Sequence, residues 1–210
     1  MVTKFEKDLI VLVADKDMDF AVRGLLSRCQ SMKIRHITFD IIPGLKHDPD
    51  VLLRNFAYLR NYQKSHNFAL VMLDKKGCGK DQIPRTQLES LIENNMDRNG
   101  WRNRNATIVI DPELEIWVWS NSKKVDYILG WSGKTPLLRT WLVEEGYCKS
   151  ESSKPIDPKF AMRNALRKAR KKISAVNFKK LSEQVSLTSC SDPAFHKFQN
   201  ILKKWFSQDL

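Results

Sequence analysis

Four short apolar runs recur over the first half of the chain, and segments with helical periodicity separate them. A run that is apolar on both faces is typical of a strand buried in a parallel sheet, with helices covering the sheet on both sides. The predicted fold class is therefore α/β, with a mostly parallel sheet. The pattern predicts strands at residues 9–14, 34–42, 68–73 and 106–110. Helices are predicted between them at about residues 20–29, 48–65 and 85–99.

The pattern changes after Asp111, where helical segments dominate. Residues 115–120 are apolar and fit either an edge strand or a buried helical turn, and the polar residues 149–154 are typical of a linker. We therefore predict an α/β domain over residues 1–148 and a basic helical extension over residues 155–210 that packs on it. The further predicted helices are residues 123–129, 135–145, 158–173, 176–184 and 193–206.

The composition is that of an ordinary globular protein, with 42% apolar and 29% charged residues in a chain of 210. No stretch approaches the roughly 20 apolar residues that a membrane-spanning helix needs. The first eight residues carry two acids and lack the layout of a signal peptide. The four cysteines lie far apart without a CxxC pair, which is typical of reduced thiols. These features predict a cytoplasmic protein without membrane attachment.

The net charge of +12 is concentrated in one segment. Residues 149–182 hold eleven Lys or Arg against two acids, so this segment alone contributes a charge of +9. Such a local excess attracts polyanions and makes their binding depend on salt. A solvated helix face is the alternative interpretation. The residues predicted to contact a nucleic-acid backbone are Arg163, Arg167, Lys168, Arg170, Lys171 and Lys172.

Acidic residues gather where the predicted strands end. Asp15 follows the first strand, Asp74 the third and Asp111 the fourth, and two glutamates come shortly after Asp111. The carboxyl ends of parallel strands meet at one edge of a sheet, where open α/β sheets bind their ligands. Carboxylate oxygens are the ligands that Mg²⁺ prefers, and a bound Mg²⁺ can activate water for attack on a phosphodiester. The predicted ligands of Mg²⁺, or of Mn²⁺ in its place, are Asp15, Asp74, Glu113 and Glu115.

Helix capping is the competing explanation for several acids in these positions. Either Asp17 or Asp19 can cap the helix that follows the first strand. Asp48 and Asp157 each precede a proline, and an acid followed by proline is typical of a helix start. Asp111 also lies where a cap or a first-turn acid is expected. Capping and metal binding therefore remain alternatives for the acids at the strand ends.

Two tryptophans, a glycine-containing loop and the four histidines are further candidates for base stacking, phosphate binding and catalysis. Trp117 and Trp119 would point the same way in an extended segment and could form a platform for a base. Packing between the sheet and the helical extension is the alternative role for both rings. The spacing of Gly77 and Gly79 is too short for a phosphate loop, which leaves a nucleotide-binding switch as the weakest hypothesis. The four histidines neither cluster nor pair with a nucleophile, so no catalytic triad is predicted.

The order of the elements, with acids after the first and third strands, resembles the TOPRIM fold of topoisomerases, primases and several anti-phage nucleases. That family has a Glu at the end of its first strand and an Asp-x-Asp after its third. Here Ala14 stands where the Glu would fall, and Asp15 follows it. Asp74 matches the first acid of the Asp-x-Asp, while Lys76 replaces the second. The resemblance implies a TOPRIM-like domain with a partly degenerate metal site.

Four further motifs are spread over nearly the whole chain. They are Val-Ala-Asp-Lys at 13–16, Leu-Asp-Lys-Lys-Gly-Cys-Gly at 73–79, Asp-Pro-Glu-Leu-Glu-Ile-Trp-Val-Trp-Ser at 111–120 and Asp-Pro-Ala-Phe at 192–195. In these motifs the chain is similar to a family of small bacterial proteins associated with methylation-associated anti-phage defence loci. The resemblance implies a role in phage defence beside a DNA methyltransferase and other subunits of the system.

These features lead to two hypotheses of different classes. In the first, a TOPRIM-like defence component binds nucleic acid, with DNA ranked ahead of RNA, and cleaves it as a metal-dependent nuclease. Lys16 and Lys76 would then steady the scissile phosphate beside the catalytic acids Asp15 and Asp74. In the second, the chain is a non-catalytic subunit that binds nucleic acid or acts as a scaffold in a multi-protein defence complex. The lysine at position 76, where the family has an acid, favours this alternative.

Overall fold

A four-stranded, all-parallel sheet forms the centre of the structure, a computed structural model that describes residues 5–120, 122–151, 154–188 and 190–208. The strand order is β2-β1-β3-β4, so the two strands with the longest apolar runs lie in the middle. This arrangement confirms the predicted α/β class and the parallel sheet. The strands are β1 (Lys7–Val13), β2 (Phe39–Pro43), β3 (His66–Asp74) and β4 (Asn105–Ile110).

Helices connect the strands and continue after the sheet. The first half of the chain contains α1 (Lys16–Leu26), α2 (Cys29–Met32), α3 (His47–Leu59) and α4 (Arg85–Met96). A short 3₁₀ turn at Arg60–Tyr62 follows α3, and a π turn at Asp97–Trp101 follows α4. The second half contains α5 (Glu115–Val118), α6 (Lys123–Leu129), α7 (Leu138–Glu144), α8 (Pro158–Lys168), α9 (Ala175–Gln184) and α10 (Pro193–Phe206).

The C-terminal helices pack directly against the sheet unit. Helix α9 lies along α1, helix α10 contacts β4, and helix α8 contacts the short turn α5. Phe178 of α9 and Phe198 of α10 are fully buried, so both helices contribute apolar side chains to the common core. Lys197 of α10 also pairs with Glu89 and Glu93 of α4, at 3.2 and 2.7 Å. The helices that follow the sheet therefore share one apolar core with it.

Several predicted elements have different bounds in the structure, and one open alternative is decided. The second strand begins only at Phe39, because Ile34 instead forms an isolated antiparallel bridge with Ser207. Of the two alternatives for residues 115–120, the structure has the helical turn, at Glu115–Val118. The predicted helix 158–173 ends at Lys168, because Arg170 takes a left-handed conformation with a φ of 56°. A hydrogen bond of 2.9 Å from the Lys171 amide to the Leu166 carbonyl closes that helix end.

All four cysteines are buried and free. In the described part of the chain, no helix combines the length and the apolar character needed to cross a membrane. Residues 1–4, 121, 152–153, 189 and 209–210 belong to the predicted domains or linker and lie outside the described residues.

Candidate functional site: an acidic rim beside a cationic helix

The carboxyl ends of the strands bring acids from distant parts of the chain to one edge of the sheet. Val13, the last residue of β1, pairs with Met72 of β3, and Asp74 at the end of β3 pairs with Ile110 of β4. The segments that follow these strands therefore start side by side, as the sequence predicted. We call the acids of this edge the acidic rim; it comprises Asp15, Asp17, Asp48, Asp74, Glu113 and Glu115.

Asp74 lies at the centre of the rim and is 5% exposed. Its Oδ1 accepts a hydrogen bond of 2.8 Å from the Leu114 amide, and its own amide donates to Oδ1 of Asp48 at 2.7 Å. Burial, together with the negative charges of Asp48 and Glu115, holds the pKa of Asp74 well above its usual value. The Asp74 carboxyl group thereby attaches the backbone after β4 to the end of β3. Burial favours the protonated form of this group.

Glu115 opens the helical turn α5 and is 4% exposed. Its Oε2 is buried without a hydrogen-bond partner among the described residues. Burial raises the pKa of Glu115 to about 7, and the nearby negative charges of Glu113 and Asp17 act in the same direction. This carboxyl group is therefore poised to change its charge near neutral pH.

Two of the three predicted helix caps differ from those in the structure, whereas Asp157 caps α8 as predicted. Asp15, rather than Asp17 or Asp19, caps α1, and its Oδ1 accepts from the Met18 amide at 2.9 Å. Asp19 instead pairs with Arg23 at 2.6 Å. Asp15 is the first polar residue after the buried strand, so it reaches the capping position before its neighbours do. Asp15 is one of the predicted metal ligands, and one of its carboxylate oxygens therefore accepts a hydrogen bond from a backbone amide.

Asp48 was expected to cap α3, but the residue at the N-cap is Lys46, and Asp48 lies within the first turn. From there its carboxylate reaches the end of β3 and accepts from the Asp74 amide. Burial raises the pKa of Asp48, and the charge of Asp15 adds to this effect. Sequence reasoning missed Asp48 as a member of the rim, although it follows β2 as Asp15 follows β1, and the same strand-end rule could have found it.

Lys159 of α8 enters the rim from the helical extension. Its Nζ lies 3.5 Å from Oε1 of Glu113, and its side chain is one-third exposed. Burial alone would lower the pKa of Lys159, yet the surrounding charges of Glu115, Asp74, Glu113 and Asp15 raise it. The ammonium group is therefore the shared counter-charge of the rim. Sequence analysis did not single it out, because only the packing of α8 brings it there.

Lys76 provides a second counter-charge at the outer side of the rim. Its Nζ lies 2.9 Å from Oδ2 of Asp157 and 3.2 Å from Oε2 of Glu113. The hydrogen bond to Asp157, the N-cap of α8, raises the pKa of Lys76. Lys16 is exposed, with its Nζ 5.7 Å from the centre of the Phe20 ring. The two lysines predicted to hold a phosphate thus differ, since Lys76 is engaged by carboxylates and Lys16 faces solvent.

The rim has the oxygen chemistry that Mg²⁺ prefers, but its arrangement does not fit the ion. Asp15 and Asp74 each bind a backbone amide, and both oxygens of Glu113 face lysine ammonium groups. Across residues 5–120, 122–151, 154–188 and 190–208, no three His, Cys, Asp or Glu side chains are grouped so that they could hold one metal ion. In this arrangement the ammonium groups of Lys76 and Lys159 supply the positive charge that faces the rim carboxylates.

The six cations predicted to meet nucleic acid are all exposed, and we call their surface the cationic face. They lie on α8 and on the four residues after it. Within the described residues none of the six forms an ion pair with an acidic side chain. Arg167 donates to Oδ1 of Asn164 at 2.7 Å, and Lys171 donates to the Ile128 carbonyl at 3.4 Å. The face comprises Arg163, Arg167, Lys168, Arg170, Lys171 and Lys172.

The two tryptophans of α5 and its C-cap do not form a platform for a base. Trp117 and Trp119 are 7% and 1% exposed. The indole of Trp117 donates to Oδ1 of Asp192 at 2.9 Å, and that of Trp119 donates to the Pro158 carbonyl at 2.9 Å. Both rings serve in packing, as the alternative interpretation had it, because they attach α5 and its C-cap to the first turns of α10 and α8.

Comparisons with protein-family models, with curated proteins and with solved structures found no significant match to this chain. The TOPRIM and defence-family resemblances therefore rest on the motifs alone and stay predictions.

Proposed function

We propose that this protein binds nucleic acid through the cationic face, without itself cutting the bound strand. The single observation that carries the proposal is the state of the six cations, which are exposed and unpaired with acids among the described residues. Unpaired surface cations retain their full attraction for phosphates, and binding to a polyanion gains free energy from the release of its counter-ions. A solvated helix face that served only solubility would not need a one-sided charge.

The neutralised rim supports the same proposal. An uncompensated group of six acids beside α8 would repel a phosphate backbone and weaken the field of the cationic face. Lys159 and Lys76 oppose that charge from within, and burial favours the protonated forms of Asp74 and Glu115. The positive potential of α8 is therefore preserved next to a carboxylate-rich edge.

The motif resemblance extends the proposal to a biological setting. In it, the chain is a TOPRIM-like, cytoplasmic subunit of a bacterial anti-phage defence complex that recruits the other subunits to nucleic acid. DNA is the preferred partner, since the resemblance implies action beside a DNA methyltransferase. The lysine at position 76 and the lysine at position 159 support the non-catalytic form of this role.

Exchange of two cations should weaken DNA binding in a charge-specific way. We expect Arg163→Gln/Lys172→Gln to raise the Kd for a blunt DNA duplex and to reduce the slope of log K against log salt by about 2. Fluorescence anisotropy over a series of KCl concentrations measures both quantities. The matched control is Lys203→Gln/Lys204→Gln, which removes the same charge from α10 near its contact with Phe68, close to the start of β3. Equal effects of the two double variants would contradict the proposal.

Titration with metal ions separates this proposal from the nuclease hypothesis. We expect calorimetry with Mg²⁺ or Mn²⁺ to give no heat that depends on Asp74 or Asp15, because Lys159 already supplies the counter-charge. Incubation with DNA and RNA in the presence of either ion should leave both intact. Heat that Asp74→Asn abolishes, together with cleavage that the same variant abolishes, would overturn the non-catalytic proposal and restore the metal-dependent nuclease.

A further inference from the structure

A cleft of about 540 Å³ lies between α7 and the cationic face. This volume falls within the range of roughly 300–1,000 Å³ that is typical of small-ligand sites. One wall is aromatic and the other is cationic. Its lining includes Trp141, Tyr147, Asn164, Arg167, Lys168 and Arg170, and Glu145 completes it.

Trp141 and Tyr147 form the aromatic wall, and the ring of Phe160 packs against Tyr147 from outside the lining. The Tyr147 ring centre lies 5.3 Å from that of Trp141 and 5.9 Å from that of Phe160. Phe160 of α8 is 55% exposed, and Tyr147 is half-buried. Trp141 is buried, and its indole donates to Oε1 of Glu145 at 3.1 Å, which fixes the ring. The rings therefore offer a supported, partly accessible surface on which a planar group can stack.

The cationic wall is held in place by its own hydrogen bonds. Arg167 donates to the buried Asn164 at 2.7 Å, so its guanidinium has a defined position. Arg170 takes the left-handed conformation in which helix ends usually carry glycine. Its amide donates to the Arg167 carbonyl at 3.0 Å, which brings the two arginines to the same end of α8. A side chain kept at a strained position despite this preference points to a role for the guanidinium.

We propose that this cleft binds one unpaired nucleotide, with the base stacked on Tyr147 and the phosphate held by Arg167 and Arg170. The proposal rests on the proposed function and adds to it a preference for unpaired nucleotides. Bases inside a duplex are stacked on each other, so only a strand end, a loop or a free nucleotide can present a base to the ring. Arginine supplies the bidentate hydrogen bonds that phosphate oxygens accept.

The surroundings of the cleft favour a polynucleotide over a free nucleotide. A second hollow of about 370 Å³ adjoins the cleft and shares Trp141, Glu145 and Lys168 with it. It continues towards Lys134, which is exposed. A strand that leaves the cleft thus finds further space and a further cation along its path.

The test compares a blunt DNA duplex, the same duplex with a three-nucleotide overhang, and free adenosine monophosphate. We expect the full chain to bind the overhang substrate about tenfold more tightly than the blunt duplex, as one stacked base contributes. Tyr147→Leu should abolish this preference and leave blunt-duplex binding unchanged, whereas Tyr147→Phe should retain it. Arg167→Gln should weaken binding of the overhang more than binding of the blunt duplex. Thermal melting of each variant verifies that it is folded.

The outcomes separate the two proposals. If neither duplex binds, the proposed function fails. If both duplexes bind equally well and adenosine monophosphate does not bind, only the cleft proposal fails. A preference for the overhang that Tyr147→Leu leaves intact would also overturn the cleft, because the base would then lie elsewhere. Binding of adenosine monophosphate that depends on Tyr147, without any preference for the overhang, would support the site and identify the free nucleotide as its ligand.

Discussion

Replacing Lys159 with methionine is expected to lower the free energy of unfolding by about 2–4 kcal/mol at about pH 8, where Glu115, with a pKa of about 7, is mostly ionised. Methionine keeps the length and much of the apolar contact of lysine but removes the ammonium group that Glu113 and its neighbours share. Removal of one partner from a buried ion pair typically costs about 3–5 kcal/mol, and the partial exposure of Lys159 reduces that cost.

Urea unfolding followed by tryptophan fluorescence measures this effect. The loss should be smaller at about pH 5.5 than at about pH 8, because Glu115, whose pKa is about 7, is then mostly protonated and needs less compensation. The raised pKa of Asp74 acts in the same direction. Lys168→Met is the matched control, since Lys168 lies on the same helix, is exposed and forms no ion pair within the described residues. A Lys159→Met variant as stable as this control at both pH values would show that the lysine is not the counter-charge of the rim.

The parallel sheet was predictable because its strands are buried on both faces. Residues 9–13 and 69–73 are fully buried, and burial on two sides leaves an uninterrupted apolar run in the sequence. Once the strands are parallel, their carboxyl ends must share an edge, so the convergence of Asp15 and Asp74 followed from the order of the elements. The part of the fold that depends on local pattern could therefore be read from the chain.

The counter-charge of the rim could not be predicted in the same way. Lys159 and Glu113 are 46 positions apart in the chain, and only the packing of α8 against α5 brings them together. Backbone geometry also determines which of several neighbouring acids caps a helix, and at α1 that residue is Asp15. The pairing of acids with metal or with lysine thus depends on tertiary contacts, and the sequence pattern leaves both possible.

The proposed nucleic-acid-binding surface could be predicted from the sequence only in part. Charge counting identified the basic segment and its exposed members, because exposure of Lys and Arg is the rule. The cleft beside it required α7 and the aromatic wall of Trp141 and Tyr147, which belong to a region where the sequence predicted only helices and a linker. The left-handed Arg170 likewise ended α8 earlier than the apolar periodicity indicated.

Replacing Glu115 with glutamine should remove a large part of the pH dependence of stability. In the unfolded chain this carboxyl group ionises near its ordinary pKa of 4.5, whereas in the folded protein its pKa is about 7. Between these values the folded protein binds more protons than the unfolded chain, so the free energy of unfolding falls as the pH rises. The difference between the two pKa values corresponds to about 3 kcal/mol, lost between about pH 4.5 and pH 7.

Unfolding in urea over this pH range measures the effect as the difference between Glu115→Gln and the parent chain. That difference should rise in favour of the variant by about 3 kcal/mol from the acidic to the alkaline end. Some decline should remain in the variant, because burial also raises the pKa of Asp74, Asp48 and Asp17. The exposed Glu144→Gln is the matched control and should follow the parent chain. Parallel curves for both glutamine variants would contradict the assignment.

The two predictions share one cause and can be tested against each other. If the ammonium of Lys159 compensates the charge of Glu115, then Lys159→Met should cost less at about pH 8 in a chain that already carries Glu115→Gln. A double-mutant cycle isolates this coupling, because both changes act within one group of charges. Strict additivity of the two changes would mean that Lys159 acts on other rim acids, such as Glu113, and that Glu115 titrates independently of the helix that carries the cationic face.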